Sequence, residues 1–389
     1  QVTPSFLQRI CIVKFHTMEA LSVELQQPNS AVPDEVATRQ RKRVTPICIG
    51  ILGILGILVI GGIVVIIMRP WNPRPKKIHV PSSSSRWVEF DDAFQSFISR
   101  SLANCTCKQN NNCDQYNITF VSSLVNIGKP GRGFDDYIKH MQELLTKFYD
   151  IPFVFFMEPG HREGFMGNTW HNPNRLCLID MSIKEVPDYM MRDLYLHAFA
   201  SMKLKKGYIL EPEMSLPEYD MIMHNKPNLV HIAANNNPFG SEIFAWVDGG
   251  LHFGMDSMPA QENVKPITSG DRISIGFTKP DKEVREFIRT HTTIDQAYEG
   301  NNMQMGAVFS GTRKAVMKLA EPYHKLIVEE YLKQDVMDDD QGPMARLWFA
   351  RPDLLENCHC KGYDMCPSVL LGNDDPDAKY PVEAATLIV

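Results

Sequence analysis

Ile118-Thr119-Phe120-Val121-Ser122-Ser123-Leu124-Val125, then the stretch Phe134 to Tyr149, then Pro152-Phe153-Val154-Phe155-Phe156-Met157, decide the fold class. The first run is short and apolar, as a buried strand is. In the second, Phe134, Ile138, Met141, Leu145 and Phe148 recur near helical spacing. The third reads as another buried strand. Leu176 to Asp180 adds a strand, and Phe244 to Val247 adds a short one that ends at Asp248. Strand–helix–strand alternation predicts an α/β fold with a mostly parallel sheet flanked by helices. Ligands of such sheets collect beyond the carboxyl ends of the strands, so polar residues there are the first site candidates.

N-terminal to this region, Ile47 to Met68 carries no charge. Its 22 residues span ~33 Å as a helix, enough for a bilayer, and predict a single transmembrane helix. Arg39, Arg41, Lys42 and Arg43 precede it, and Arg69, Arg74, Lys76 and Lys77 follow it, so flanking charge gives no orientation. Cysteines and sequons give one. Seven of the nine cysteines lie after the segment, as do the glycosylation acceptors Asn104 and Asn117. This places the C-terminal part in the oxidising lumen and makes the protein a type II signal-anchor protein of the Golgi or another secretory-pathway membrane. Residues 1–46 form the cytosolic tail. Met18-Glu19-Ala20-Leu21-Ser22 reads as an ordinary chain start, so 1–17 are expected to be an artefact or a fragment boundary. The Pro- and Ser-rich residues 69–86 are the stem, and 87–389 are the luminal domain.

The chain has 389 residues, 44% of them hydrophobic, and a net charge of -6. Enough apolar surface exists for a large core, which excludes wholesale disorder, and the mild acidity gives no reason to expect a nucleic-acid partner. Cys105, Cys107 and Cys113 share the spacing C-x-C-x5-C with Cys358, Cys360 and Cys366. Disulfides are the plain reading, with a tie between the two clusters as one option; a zinc site with His359 is the other. Cys177, inside an apolar strand, reads as a free buried thiol.

G-x-S-x-G, H-E-x-x-H, P-loop and kinase signatures are absent. Two acidic features remain. Asp248-Gly249-Gly250 closes an apolar strand with a carboxylate and two glycines that admit a ligand to the backbone. Asp338-Asp339-Asp340-Gln341 is the other. A divalent cation carrying phosphate ligands takes one or two protein carboxylates. The bland readings are an Asx-turn for Asp248 and a solvated loop or helix start for the Asp run.

Taken together, Asn225-Lys226-Pro227, the block Asn235-Asn236-Asn237-Pro238-Phe239 running into Phe244-Ala245-Trp246-Val247-Asp248, the strand at 118–128 with Tyr137, Gly306 to Gly311, and Asp340-Gln341 resemble the HtrL/YibB-like family. That family is similar in outline to nucleotide-sugar glycosyltransferases of the GT-A type. The resemblance implies transfer of a sugar from a nucleotide-sugar donor to a glycan or glycoprotein acceptor. It implies that Ser122, Ser123, Asn126, Lys226, Gly249 and Gly250 meet the donor. Asp248 would hold Mn2+ or Mg2+, while Asp340 and Gln341 would act on or orient the acceptor. Lys226 is otherwise a surface lysine, His252 a second ligand or a structural histidine, and Trp246 a core residue. Where the family has Asp-Ile-Gly-Arg, this chain has Asn126-Ile127-Gly128-Lys129, and a single Asp248 stands where many GT-A enzymes carry Asp-x-Asp. Those departures favour an alternative, a catalytically inactive module that binds glycans or proteins. A two-metal phosphodiester hydrolase is a third reading.

Overall fold

A computed structural model describes residues 105, 117–128, 133–167, 171–206, 216–249, 258–266, 270–293, 304–360 and 366–372. All belong to one unit, Val80–Val389. The tail, the expected transmembrane segment 47–68, the stem, Asn104, Cys107, Cys113, Gly250 and His252 lie outside the described residues. Among the described residues no helix is long and apolar enough to cross a membrane.

The elements follow in the order β1 (Ile118–Leu124), α1 (Phe134–Lys147), β2 (Phe153–Met157), α2 (Arg162–Gly167), β3 (Leu176–Asp180), α3 (Arg192–Lys206), α4 (Pro217–His224), α5 (Lys226–Asn236), β4 (Ile243–Val247), β5 (Ile273–Phe277), α6 (Asp281–Thr290), β6 (Gln304–Thr312), α7 (Arg313–Leu326), α8 (Gln341–Ala350), β7 (Leu355–His359) and α9 (Cys366–Gly372). The strands form one seven-stranded sheet in the order β3-β2-β1-β4-β6-β5-β7. Its pairs are parallel except that β6 runs antiparallel to both β4 and β5. The mostly parallel α/β sheet expected from the sequence is present. From β1 the chain first moves outward to β2 and β3, then returns to place β4 on the other side. The carboxyl ends of β1 and β4 therefore flank a topological switch point, where such sheets open a crevice.

Both faces of the sheet are covered, which is why β1, β2 and β4 read as continuous apolar runs. Alternate residues go to opposite faces. Phe120, Phe153 and Phe155 meet Met141, Leu144 and Leu145 of α1 on one face. There the Phe120 ring sits edge-on to Phe148 and Phe153, with centroids 5.2 and 5.5 Å apart. Val121, Val154, Phe156 and Trp246 meet Tyr195, Leu229, Leu319 and Trp348 on the other.

Cys177 corrects one expectation: it is not a thiol but is bonded to Cys105, tying the segment before β1 to β3. The chain-entropy value of closing 72 residues is about 4 kcal/mol. Cys360 bonds Cys366, joining the end of β7 to the start of α9. These two bridges do not link the N-terminal cluster to the C-terminal one, and neither Cys360 nor Cys366 is available as a zinc thiolate. Cys358 is buried on β7.

The block Asn235-Asn236-Asn237-Pro238-Phe239 makes a turn. Asn237 caps α5 in the left-handed region at φ 40. Its amide donates to the Ser241 carbonyl at 3.0 Å and accepts from the Ser241 N–H at 2.8 Å. The Ser241 hydroxyl bonds the buried Thr119 hydroxyl of β1 at 2.8 Å. The turn thus fixes where β4 enters beside β1. Replacing Asn237 by Ala puts a Cβ-bearing residue without a local partner at positive φ and removes both side-chain bonds. The expected loss is about 2–3 kcal/mol in chemical denaturation, with a smaller loss for Asn237→Gly, which tolerates the backbone angle.

Candidate functional site

The site grows from a buried lysine. Lys226 opens α5, directly after Asn225, whose side-chain amide donates to the Met221 carbonyl at 2.6 Å and accepts from Asn228 at 3.1 Å. This junction bends α4 into α5 and turns the Lys226 side chain toward the sheet. The ammonium is 1% exposed and lies 2.8 Å from Asp340 Oδ2 and 3.0 Å from Asp248 Oδ1. It also donates to the Gly306 carbonyl at 3.1 Å. Its three protons therefore all have acceptors. Burial pushes the Lys226 ammonium toward neutrality, but the Asp248 and Asp340 carboxylates outweigh this and hold its pKa well above the usual lysine range. The alternative of a surface lysine is corrected accordingly: Lys226 is buried and serves as an internal counter-ion.

Asp248 follows β4, and its backbone N–H continues the ladder to the Ala307 carbonyl at 2.8 Å. Its side chain is 26% exposed. Trp246, otherwise a core residue, donates its indole N–H to Asp248 Oδ1 at 2.6 Å. Burial raises the Asp248 pKa, opposed by Lys226 and reinforced by Asp340. Asp340 is 6% exposed and sits behind Lys226. Gly306 on β6 makes room for it: a Cβ there would come within 2.8 Å of three Asp340 carboxyl atoms. Asp248 is thus the carboxylate that solvent reaches. Asp340, expected to act on the acceptor, braces the lysine. Gln341 is half-buried at the start of α8, its backbone N–H bonded to Asp339 at 2.8 Å.

The β1 end of the crevice differs from expectation as well. Ser122 is fully buried, its hydroxyl 3.8 Å from the Met141 sulfur. Its side chain faces α1 and not solvent. Ser123 is half-buried. Gly249 packs closely on α1: a Cβ would stand 2.9 Å from Met141 Sδ, so that side chain would have to shift. Asn126 is exposed, with its side-chain oxygen turned back onto Gly128 N–H at 3.1 Å. Asn117 is exposed at the amino end of β1, the end of the strand opposite to the crevice. A glycan there would not block the site.

One carboxylate accessible beside its own counter-ion matches the protein share of a divalent cation whose other ligands are phosphate and water. Among the described residues no group of three His, Cys, Asp or Glu side chains forms a metal cluster.

Sequence reading missed the residues around the Asp338–Asp340 loop. Asp220 on α4 is fully buried and neither carboxyl oxygen has a hydrogen-bond partner. Burial, with Asp339, Asp338 and Asp340 adding repulsion, lifts its pKa well above the carboxylate range. Asp338 is also fully buried and raised by burial, with its neighbour Asp339 adding to it. His224, Tyr195 and Asp188 are buried in the same region. They sit singly in helical sequence and carry no motif.

Two outcomes are expected. Lys226→Met leaves Asp248 and Asp340 facing each other without their cation and should cost about 3–5 kcal/mol in denaturant unfolding. Asp220 holds its proton in the folded state but loses it above about pH 3.9 when unfolded. Its contribution is therefore full below that pH and is lost as pH rises through the folded pKa. Asp220→Asn should raise the thermal midpoint at pH 7.5, with the gain shrinking toward pH 4.

No curated protein matches the chain. Among solved structures, mouse xyloside xylosyltransferase 1 (apo form) is similar at 12% identity and a TM-score of 0.33, over 62% of this chain and 85% of that one. A 4-diphosphocytidyl-2C-methyl-D-erythritolsynthase from Anaerococcus prevotii is similar at 10% identity and a TM-score of 0.28, over 64% and 89%. Likeness of that degree carries no argument about activity. The model of the family described as "Bacterial protein of unknown function (HtrL_YibB)" matches residues 131–368, more than half of the chain, and the protein belongs to that family.

Proposed function

We propose that the protein is a glycosyltransferase that moves a sugar from a nucleotide-sugar donor to a glycan or glycoprotein acceptor. The observation that carries this reading is the position of Asp248. It is the accessible carboxylate at the switch-point crevice, held in one orientation by Trp246 and Lys226. The donor diphosphate lies over the carboxyl ends of β1 and β4. Asp248 is the residue that would hold a Mn2+ or Mg2+ ion, which would supply Lewis-acid stabilisation of the leaving phosphate. The chain does the rest through rigidity. Lys226 offsets the carboxylate charge, Asp340 holds Lys226, and the Gly306 carbonyl fixes the third proton. With these contacts formed before the ligand arrives, little reorganisation is needed on binding.

The same proposal places residues 87–389 in the lumen of the Golgi or another secretory compartment, anchored by 47–68 as a type II membrane protein and glycosylated at Asn104 and Asn117. The Cys105–Cys177 and Cys360–Cys366 bonds support an oxidising compartment. A second reading, a binding module without catalysis, is favoured by one observation. Both oxygens of Asp248 already lie within 3.1 Å of the Lys226 ammonium.

The two are separated by the thermal midpoint of the purified chain with a panel of nucleotide sugars, each with and without Mn2+. A ligand at 100 times its Kd adds about 2.7 kcal/mol. The transferase reading expects a shift that needs both the metal and one nucleotide and disappears in Asp248→Asn. No shift with any donor supports the binding module.

A further inference from the structure

We propose that His224 is a positioning residue of the Asp248 site: it clamps the backbone of the Asp338–Asp340 loop and so fixes Asp340 against Lys226. His224 is the last residue of α4, two positions before Lys226, and is 1% exposed. Its Nε2 lies 2.9 Å from the Asp338 carbonyl and 3.3 Å from the Asp339 carbonyl. Carbonyls only accept, so Nε2 carries a hydrogen and donates to both. The α4–α5 junction therefore holds one loop at two points. His224 takes its backbone, and Lys226 takes its last carboxylate at 2.8 Å.

The clamp has its own support. His224 Nδ1 is 3.0 Å from the Tyr195 hydroxyl, and that hydroxyl is 2.6 Å from Asp188 Oδ2. Asp188 Oδ1 in turn lies 3.1 Å from His324 Nδ1. All four side chains are buried. The two contacts of the Tyr195 oxygen need two protons, and the hydroxyl brings one. The second sits on His224 Nδ1 or on Asp188. In the first case His224 is a cation balancing the Asp188 anion; in the second both are neutral. Either way the His224–Asp188 set has no net charge, which suits a buried location. The tautomer at Nε2 is the same in both, so the grip on the loop survives movement of that proton.

The loop needs such a hold. It leaves a π turn over Ile327–Tyr331 and a 3-10 turn over Leu332–Gln334, closed by Asp335 at φ 59. Asp338, Asp339 and Asp340 crowd three carboxyl groups together beside Asp220, and burial with this crowding raises the pKa of both Asp220 and Asp338. Without His224 the Asp338 and Asp339 carbonyls would lose that donor, which favours opening the loop toward water.

The clamp stands on these distances alone; its effect on ligand binding rests on Asp248 being the ligand-facing group. The test is hydrogen exchange by mass spectrometry on the full chain, reading peptides over 336–346. His224→Gln places a side-chain N–H near the Nε2 position, whereas His224→Asn reaches only the Nδ1 position. The Gln variant should keep exchange within about threefold of the original. The Asn variant should speed it about tenfold or more, with β1 and β2 still protected. Tyr195→Phe, which leaves His224 in place, should give an intermediate rate in the same peptides. Equal exchange in the Gln and Asn variants, or faster exchange spread over β1 and β2, would overturn the clamp. A second readout uses the thermal shift with UDP and Mn2+. A loose loop with the full shift retained in the Asn variant would overturn the positioning role. If the original chain shows no shift with any nucleotide while the exchange pattern holds, the transferase reading fails and the clamp stands.

Discussion

One ammonium group between two carboxylates organises this protein. Lys226 is buried, and a buried charge is tolerated only when paired and hydrogen-bonded. Its three acceptors come from different parts of the chain: Asp248 after β4, Gly306 on β6 and Asp340 before α8. The requirement to satisfy one group therefore sets the relative position of two strands and two helices. It also leaves a single outcome at the surface, the partly exposed carboxylate of Asp248.

The sheet topology supplies the framework for that pairing. A parallel arrangement of β1 and β4 at a switch point puts Asp248 just beyond the carboxyl end of the sheet, the side on which such sheets bind ligands. The reversed strand β6 then brings Gly306 alongside, and its missing Cβ lets Asp340 close against it. Behind this layer lies a second one of polar side chains, in which His224 links the loop to Tyr195, Asp188 and His324. The accessible part of the site is small, and most of its polar groups serve to hold it still.

How much was legible follows from burial. β1, β2, β3 and β4 are apolar runs because both faces of the sheet are covered, and they were read correctly. β7 is an edge strand with the sequence Leu355-Glu356-Asn357-Cys358-His359 and only two buried positions, so it gave no strand signal. β5 is short, bulged between Ile275 and Gly276, and was also missed. At the site, Asp248 was legible because a carboxylate closing an apolar strand is unusual. The Asn235–Phe239 block was conspicuous for another reason, a turn that needs an αL residue. Ser122 and Gly249 lie where a ligand contact was expected, yet they pack on Met141, since a period-two strand turns Ser122 toward α1. Cys177 looked inert because its partner, Cys105, is 72 positions away.

By itself the sequence determined the α/β class, the parallel core strands and the candidate carboxylates, because hydrophobic periodicity and local turn chemistry act over a few residues and leave a local trace. Only the tertiary structure decided what the charges do. Lys226, Asp248, Gly306 and Asp340 span 114 positions, from Lys226 to Asp340, and nothing local distinguishes a solvated lysine from a buried one. Their pairing follows from strand order and from the low dielectric of the interior, which makes an unpaired charge costly and selects the one packing in which each finds its partner.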